Sequence, residues 1–498
     1  MRQFTRVFCL AAFAAVWVIG YSSCSIYSAD LYSDGGNNAA GASPGLGLGG
    51  MENADEFDEI IERDFVAASE TPESYFSLNI NTASYAVIRR CINSGAKIYK
   101  DQVLIEEMLN YFAFDYPVPG DGETLSLSGS LTPCPWNDSA HLLSIGIKTE
   151  AVEMGDIDNN LVFLIDNSGS MYGNDRLGLV QEAFILLADQ LNRDDRVSIV
   201  SYAGDVSVRL DGAMGYEKGK IRGAIEDLAA GGSTAGAGGI QKAYEIAATY
   251  FKPGGNNRVI LATDGDFNVG ISSQSELENF ISQKKDTGIF LTVLGVGMGN
   301  QKNNKMETLA NCGNGNFAYL DSINEARKVL VEEAGGTLKT VAKDAKAMVR
   351  FNPDYVDKYR QLGYENRQLS SEEWENEDTD AGELGAGRCI TAVYEVILKA
   401  GAAAAAEPFI TAAVRFKVPE TEASREISAE IAAITAAPSD DVQFISAVVE
   451  SALVMRDSPH KGSANINAVI TRLESLTLIT DEYKAGFLDL MKKFKAQI

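Results

Sequence analysis

The sequence predicts an α/β protein built around a doubly wound, mostly parallel, Rossmann-like sheet, with strand-rich α+β segments on either side. Three observations predict this class. Between residues 157 and 335, short apolar runs alternate with amphipathic helical patterns, which is typical of a parallel sheet covered on both faces. Outside that range, apolar residues alternate as in half-buried strands. The 498 residues, 45% of them hydrophobic and 22% charged, suffice for two to four globular domains.

The central region, residues 157–335, contains strand and helix candidates in alternation. Strands are predicted at residues 161–165, 196–202, 259–263 and 290–296. Helices are predicted at residues 177–191, 218–228, 240–251 and 276–284. In such a sheet, ligands bind beyond the carboxyl ends of the strands. Because Asp166 and Asp264 each follow a predicted strand, we expect their side chains to meet at one edge of the sheet.

The two flanking segments are predicted at residues 65–156 and 336–498. The first has a helical pattern at residues 103–112. It has strand patterns at residues 75–80, 125–131 and 142–148. The second begins with strand patterns at residues 347–351, 390–398 and 409–418. It ends with helical patterns at residues 442–455 and 466–473. Because both segments are rich in strands, we hypothesise that they share a sheet and form one second domain, into which the central region is inserted.

The first 23 residues are predicted to be an export signal. Arg2 and Arg6 precede an apolar stretch too short to span a bilayer with ease, and Ser22-Ser23-Cys24 follows. This pattern resembles a bacterial lipoprotein signal, which is cut before a cysteine that then becomes lipidated. The resemblance implies an exported protein of the cell envelope, anchored to a membrane through Cys24 with a periplasmic or surface face. Tyr21 replaces the usual Leu, which leaves an ordinary secretory cleavage site or a retained signal anchor as alternatives.

Residues 24–64 are predicted to form a flexible tether between the anchor and the folded part. The segment is first rich in Gly and other small residues and then acidic, without a periodic apolar pattern. Four cysteines lie beyond the signal and the anchor position, namely Cys91, Cys134, Cys312 and Cys389. Four cysteines permit three pairings, and the sequence does not choose among them. Lone buried thiols are the alternative.

The charge balance and the small number of histidines disfavour several kinds of ligand and of chemistry. Forty-three Lys and Arg against 69 Asp and Glu give a net charge of −26, so the chain repels nucleic acid and anionic lipid headgroups. The chain has two histidines, His141 and His460, which leaves little basis for zinc chemistry or for a histidine general base. We therefore expect no nucleic acid partner.

Oxygen-bearing side chains follow apolar runs at three places in the central region. Asp166-Asn167-Ser168-Gly169-Ser170 follows the first predicted strand, Thr234 lies in a Gly-rich loop, and Thr263-Asp264-Gly265 ends the third strand. Mg²⁺ prefers oxygen ligands and keeps several waters, so one carboxylate and a few hydroxyls suffice. The simpler interpretation of Asp-x-Ser-x-Ser is a helix cap, since Asp and Ser are preferred capping residues. Three such loops at matching positions favour a metal site over capping alone.

These three loops resemble the metal-ion-dependent adhesion site of von Willebrand factor type A domains, over roughly residues 157–335. Sequence on both sides, such as Asn81-Thr82-Ala83-Ser84-Tyr85 and Leu362-Gly363-Tyr364-Glu365-Asn366-Arg367, is similar to a bacterial group of exported type A proteins with characteristic extensions. One departure is Asn79-Ile80-Asn81, where that group usually has two aspartates, so a second cation that depended on them would be in doubt.

The resemblance implies a set of ligands and a function. Ser168, Ser170 and Thr234 would bind Mg²⁺ or Mn²⁺ directly, and Asp166 and Asp264 would hold the ion mainly through waters or compete for direct contact. A protein partner would supply an Asp or Glu carboxylate at the open position. We therefore predict a binding module and not an enzyme. A scaffold whose metal site is structural is the alternative, and a metal-dependent hydrolase is disfavoured because Ser168 stands where a phosphoryl-transfer enzyme would have a second carboxylate.

Overall fold

The computed structural model of the chain describes residues 57–78, 80–152, 158–232, 238–265, 274–285, 287–297, 302–334, 339–402, 407–419 and 421–498. The predicted export signal, Cys24, most of the predicted tether and Thr234 lie outside these residues. Among the helices that are described, none has the length and apolar character needed to cross a membrane.

Strands and helices alternate in the central region, whereas the flanks contain runs of consecutive strands and of consecutive helices. The strands are β1 (Val66–Ala67), β2 (Glu73–Ser77), β3 (Leu125–Pro133), β4 (His141–Thr149), β5 (Asn159–Asp166), β6 (Arg196–Tyr202), β7 (Val206–Met214), β8 (Asn256–Thr263), β9 (Ile289–Val296), β10 (Phe317–Leu320), β11 (Thr340–Phe351), β12 (Val356–Leu362), β13 (Gly382–Gly385), β14 (Cys389–Leu398), β15 (Ile410–Val418) and β16 (Ala423–Ile431).

The α-helices of the described chain are α1 (Ala83–Ser94), α2 (Ile105–Asn110), α3 (Leu177–Gln190), α4 (Lys218–Glu226), α5 (Gly239–Thr249), α6 (Gln274–Lys285), α7 (Asn303–Cys312), α8 (Ile323–Arg327), α9 (Ser371–Glu375), α10 (Asp440–Met455), α11 (Ile466–Glu474) and α12 (Glu482–Lys495). Helix α8 continues directly as a π-helix over Lys328–Glu332.

The central sheet is doubly wound, as predicted. Its strand order is β10-β9-β8-β5-β6-β7; the first five of these run parallel and the edge strand β7 is antiparallel. Every residue of β5 and of β8 is buried, because helices cover both faces of the sheet. Helices α3, α4 and α8 pack on one face, and α5, α6 and α7 pack on the other.

Strands from both sides of the central region share two antiparallel sheets. One has the order β1-β12-β14-β4-β3, and the other has the order β13-β11-β15-β16 with β2 paired to β11. Strands β1 to β4 precede the central region and β11 to β16 follow it, so pairs such as β4 with β14 join the two ends of the chain. One hydrophobic core takes residues from both sheets, which stack as a sandwich. The hypothesis that the flanks share a sheet is therefore confirmed.

A second core lies between the helices of the two flanks. It joins α2 from the N-terminal flank to α10, α11 and α12 from the C-terminal flank. The rings of Phe112, Phe444 and Phe487 lie 4.9–5.5 Å apart in edge-on or tilted pairs. Tyr111 and Phe114 are buried as well, so the aromatic run at residues 111–116 forms core and not an exposed binding platform.

Helix α1 belongs to the N-terminal flank in sequence but packs against the central domain. Its apolar side joins the core formed by α5, α6 and α7. The Arg89 guanidinium donates to both carboxylate oxygens of Asp321 at 2.6 and 2.7 Å and to Glu325 of α8 at 2.7 Å. Bidentate pairing of this kind fixes both position and orientation. The flank is therefore held directly to the last helix of the central domain.

The tether is shorter than predicted, because residues 57–64 pack against the folded part. The Ile60 side chain is buried, and its N–H donates to the Asp101 carboxylate at 2.8 Å. Phe57 packs against the core on the α7 side of the central sheet. These contacts hold residues 57–64 in place, although their acidic composition predicted a flexible segment. Among the described residues, Cys91, Cys134, Cys312 and Cys389 form no disulfide with one another.

Glu383 on β13 is a partly exposed acid whose two carboxylate oxygens are shielded from solvent between the flanks and the central domain. Burial raises its pKa to about 8, and the neighbouring carboxylates of Asp344 and Asp380 add to the rise, while Lys343 and Lys285 oppose it. Because the folded pKa exceeds the ordinary value of 4.5, the protonated form contributes stability at low pH that is lost as the pH rises through about 8.

Replacing Glu383 by Gln is therefore expected to stabilise the protein at high pH and to change little at low pH. The gain should grow between pH 4.5 and pH 8, the pKa values of the unfolded and folded states, to about 4–5 kcal/mol. Urea unfolding of both proteins from pH 4.5 to 8.5 measures it. The exposed Glu377→Gln change removes the same charge and should show no such trend. A gain that does not vary with pH would contradict the assignment.

Candidate functional site

The candidate site lies at the carboxyl ends of two adjacent parallel strands. In the register of β5 and β8, Ile165 lies opposite Ala262, so Asp166 at the end of β5 and Asp264 just after β8 emerge at the same edge of the sheet. Both residues are buried, at 0% and 3% exposure. The sequence prediction that these two carboxylates meet at this edge agrees with that placement.

Hydrogen bonds fix the Asp166 carboxylate on both oxygens. Its Oδ1 accepts the backbone N–H of Ser168 at 2.9 Å, and its Oδ2 accepts the hydroxyls of Thr263 and Tyr202 at 3.2 and 3.4 Å. Tyr202 ends β6 and lies opposite Asp166 in the parallel register. The next helix, α3, begins only at Leu177 and has no side-chain cap. The alternative of a simple helix cap is therefore wrong.

The hydroxyls of Ser168 and Ser170 lie side by side. Their Oγ atoms are 3.0 Å apart, and Ser168 is fully buried. A single 3₁₀ turn over Gly169–Met171 brings them together, because it curls the chain back immediately after the strand. Two hydroxyl oxygens so close to a buried carboxylate form a compact set of oxygen donors.

The second loop contacts the first through its backbone. The N–H of Gly169 donates to the carbonyl of Gly232 at 3.1 Å, and the N–H of Gly231 donates to the carbonyl of Asn167 at 2.9 Å. Gly232 has a φ of +84°, which a residue with a side chain rarely adopts. The described structure thus brings the Gly-rich loop to the site as far as Gly232, and Thr234 lies two residues further on.

Sequence reasoning missed Arg176, which joins the first loop to the third. Its Nη1 donates to the Ser170 carbonyl and lies 3.5 Å from Oδ2 of Asp264. It also missed Tyr202 as a partner of Asp166. The position of Tyr202 at the end of a predicted strand was the available signal, whereas no motif marked Arg176.

The electrostatics of the site suit a cation. Burial raises the pKa of Asp166 to about 6; its hydrogen bonds with Ser168 oppose that rise, and the neighbouring Asp264 carboxylate adds to it. Two buried carboxylates that repel each other are stabilised by a positive charge placed between them. The donors are all oxygens, which suits Mg²⁺ or Mn²⁺. No cluster of three or more His, Cys, Asp or Glu occurs among the described residues, so the hydroxyls would be essential to such a site.

Comparisons with known proteins agree with the fold. The family model for the von Willebrand factor type A domain matches residues 160–332, and a model described as von Willebrand factor matches residues 51–144. A third model, for the C-terminal region of the uncharacterized protein YfbK, matches residues 336–497. YfbK of Escherichia coli (strain K12) is 37% identical over 417 residues, which span 79% of this chain and 72% of that protein.

The chain belongs to the family of YfbK and contains a von Willebrand factor type A domain. A second relative, the uncharacterized protein sll0103 of Synechocystis sp., is 30% identical over 169 residues, 34% of this chain and 39% of its own. Among solved structures, a von Willebrand factor type A protein from Catenulispora acidiphila has a TM-score of 0.42 at 15% identity, covering 76% of this chain and 91% of that one. The type A domain points to a protein-interaction module.

Proposed function

We propose that this type A protein is an exported, cell-envelope binding module that recognises a partner carboxylate through a divalent cation. Ser168, Ser170 and Thr234 would bind Mg²⁺ or Mn²⁺ directly. Asp166 and Asp264 would hold the ion mainly through waters. One observation supports this most strongly. Two buried carboxylates, those of Asp166 and Asp264, lie at the same edge of the sheet as the hydroxyls of Ser168 and Ser170, whose Oγ atoms are 3.0 Å apart.

The chemistry of this donor set suits recognition of an anion. When neutral hydroxyls supply most of the direct ligands, they leave the positive charge of the ion largely uncompensated. An Asp or Glu side chain of a partner then becomes the ligand that best completes the coordination. With a net charge of −26, the chain repels an acidic partner. A cation that bridges the two proteins offsets that repulsion at the site.

An exposed aromatic side chain beside the site favours a protein partner. Tyr172 follows Ser170 by two residues and is 83% exposed, whereas the neighbouring Met171 is fully buried. Exposed tyrosines are common among the residues that contribute most to protein–protein binding. We infer that Tyr172 contacts the partner next to the metal-bound carboxylate.

The proposed location rests on the sequence of the N-terminus. The export signal and the lipid anchor at Cys24 would put the site outside the cytoplasm, on the periplasmic or the surface side of a membrane. The tether up to residue 56 would hold the folded part away from that membrane.

Capture of partners from envelope extracts tests the proposal. Wild-type protein should retain a partner in Mg²⁺ and release it in EDTA, and Ser170→Ala should fail to retain it. Ser207→Ala, which removes a partly buried hydroxyl from β7, is the control and should behave like wild type. Tyr172→Ala should weaken capture while leaving the thermal response to Mg²⁺ unchanged.

Two results would overturn the proposal in favour of its alternatives. A partner that survives both chelation and Ser170→Ala would indicate a scaffold in which any metal is structural. Turnover of a phosphoester that depends on Mg²⁺ and is abolished by Ser170→Ala would indicate a metal-dependent hydrolase.

A further inference from the structure

Two adjoining cavities lie in the seam between helix α7 of the type A domain and the two flanks. The first has a volume of about 320 Å³ and the second about 240 Å³. Both are lined by Ser77, Thr308, Asn311 and Arg367, so they adjoin along one continuous seam. Of the metal-binding candidates that the structure describes, Asp166, Ser168, Ser170 and Asp264 line neither cavity.

The walls of the seam carry an excess of carboxylates. Glu106, Glu107 and Glu307 line the first cavity, and Asp380 and Glu383 line the second. The guanidinium of Arg367, shared by both cavities, is already engaged by Glu307. Asp380 is paired with Lys285 at 2.7 Å. The charges of Glu106, Glu107 and Glu383 are therefore not balanced by these ion pairs.

Several buried polar atoms in these walls have no hydrogen-bond partner among the described residues. Oε2 of Glu106 and both carboxylate oxygens of Glu383 are acceptors of this kind, whereas Nε2 of Gln102 is a donor. Glu106 and Gln102 are 3% and 1% exposed, and Glu383 is partly exposed although both of its oxygens are shielded. Buried polar groups in folded proteins nearly always have partners. Unmatched acceptors at both ends of one seam point to a ligand that donates hydrogen bonds at both ends.

We propose that the seam binds an elongated organic cation with ammonium groups at both ends, of the linear diamine or polyamine class. Each ammonium donates three hydrogen bonds, which suits Glu106 and Glu107 in the first cavity and Glu383 in the second. The methylene chain spans the stretch that the two cavities share. A bare metal ion fits less well, because the described residues hold no cluster of three metal-binding side chains and the cavities have the volume of a small organic molecule.

The ionisation of the seam agrees with a cationic occupant. Burial raises the pKa of Glu106 to about 7, and the neighbouring Glu365 carboxylate adds to the rise. Burial also raises the pKa of Glu107 well above its usual range, with Glu307 adding to it. An ammonium group beside these acids favours their ionised forms and gains an ion pair shielded from solvent.

Isothermal titration of the full chain with spermidine and with putrescine, at pH 8 and in the presence of EDTA, tests this inference. We expect saturable binding with one molecule per chain. Glu383→Gln and Glu107→Gln should each weaken binding at least 10-fold, because each removes one charge and keeps the side-chain shape. Glu377→Gln, an exposed change of the same kind nearby, should leave the affinity unchanged.

Three results would overturn the inference. One is the absence of saturable heat with either amine. Another is binding that Glu383→Gln and Glu107→Gln leave unchanged, which would indicate diffuse attraction of a polycation to an acidic surface. The third is saturable binding of Ca²⁺, added as CaCl₂ in the absence of EDTA, when neither amine binds. If both Gln variants weakened that binding, the seam would be a metal site.

Discussion

Replacing Asp166 by Ala is expected to remove the response of the protein to Mg²⁺. The wild-type protein should gain about 2.7 kcal/mol of stability when Mg²⁺ reaches 100 times its dissociation constant, and the variant should gain almost none at that concentration. The reason is that the variant loses one of two buried carboxylates that face the ion. We expect the apparent Mg²⁺ affinity to fall about 100-fold, the upper end of the loss that follows when groups supporting a metal site are removed.

In EDTA the same variant should lose about 1–3 kcal/mol of stability at most, because the Ser168 N–H and the hydroxyls of Thr263 and Tyr202 lose their buried acceptor, while relief of the repulsion from Asp264 offsets part of that cost. Without the ion, the Asp166 carboxylate is buried next to that of Asp264, and burial and repulsion disfavour its charge. Thermal unfolding with EDTA and with a Mg²⁺ series separates the two effects. Asp205→Ala is the matched control, since Asp205 is exposed just beyond β6 at the same end of the sheet. An Asp166 variant that still responds to Mg²⁺ like wild type would contradict the assignment of this residue.

Replacing Glu395 by Ala is expected to destabilise the protein by about 3–5 kcal/mol, the usual cost of breaking a buried ion pair on one side. Glu395 and Arg360 are each 1% exposed in their side chains, and Nε of Arg360 donates to Glu395 at 2.7 Å. The indole N–H of Trp136 donates to the other carboxylate oxygen at 2.7 Å. Removing the carboxylate leaves a buried guanidinium and a buried N–H without their acceptor.

Urea unfolding followed by intrinsic fluorescence measures this loss. Glu395→Gln should be intermediate, because it keeps an acceptor for Trp136 but not the charge that balances Arg360. Glu430→Ala removes an exposed carboxylate from β16 and should change stability by no more than about 0.5 kcal/mol. An Ala variant at residue 395 as stable as wild type would show that the folded chain compensates the Arg360 charge in some other way.

The central domain could be predicted from sequence because its signals are local. Strands β5, β6 and β8 are apolar runs that end at polar residues, and their bounds agree with the prediction within two or three residues. The alternation of such strands with helices determines a parallel sheet, and the parallel sheet determines that Asp166 and Asp264 meet. Edge elements such as β7 and β10 were missed, since short or partly exposed strands give weak patterns.

The arrangement of the flanks depends on contacts between residues far apart in sequence. The sequence suggested that the flanks share a sheet, but the order of the strands and their registers, such as Leu143 opposite Tyr394, have no local signature. Helix α1 was missed although its sequence is amphipathic, and eight of its 12 residues are buried. Its docking through Arg89 likewise follows from tertiary structure alone.

The most direct test of the proposed function is the position of Mn²⁺ in crystals grown with MnCl₂, seen by its anomalous scattering. We expect one strong peak among the oxygens of Asp166, Ser168, Ser170 and Asp264, with Thr234 as a further ligand and one coordination position taken by an oxygen from outside the chain. Crystals that contain saturating Mn²⁺ but show no peak at the carboxyl ends of β5 and β8 would contradict it.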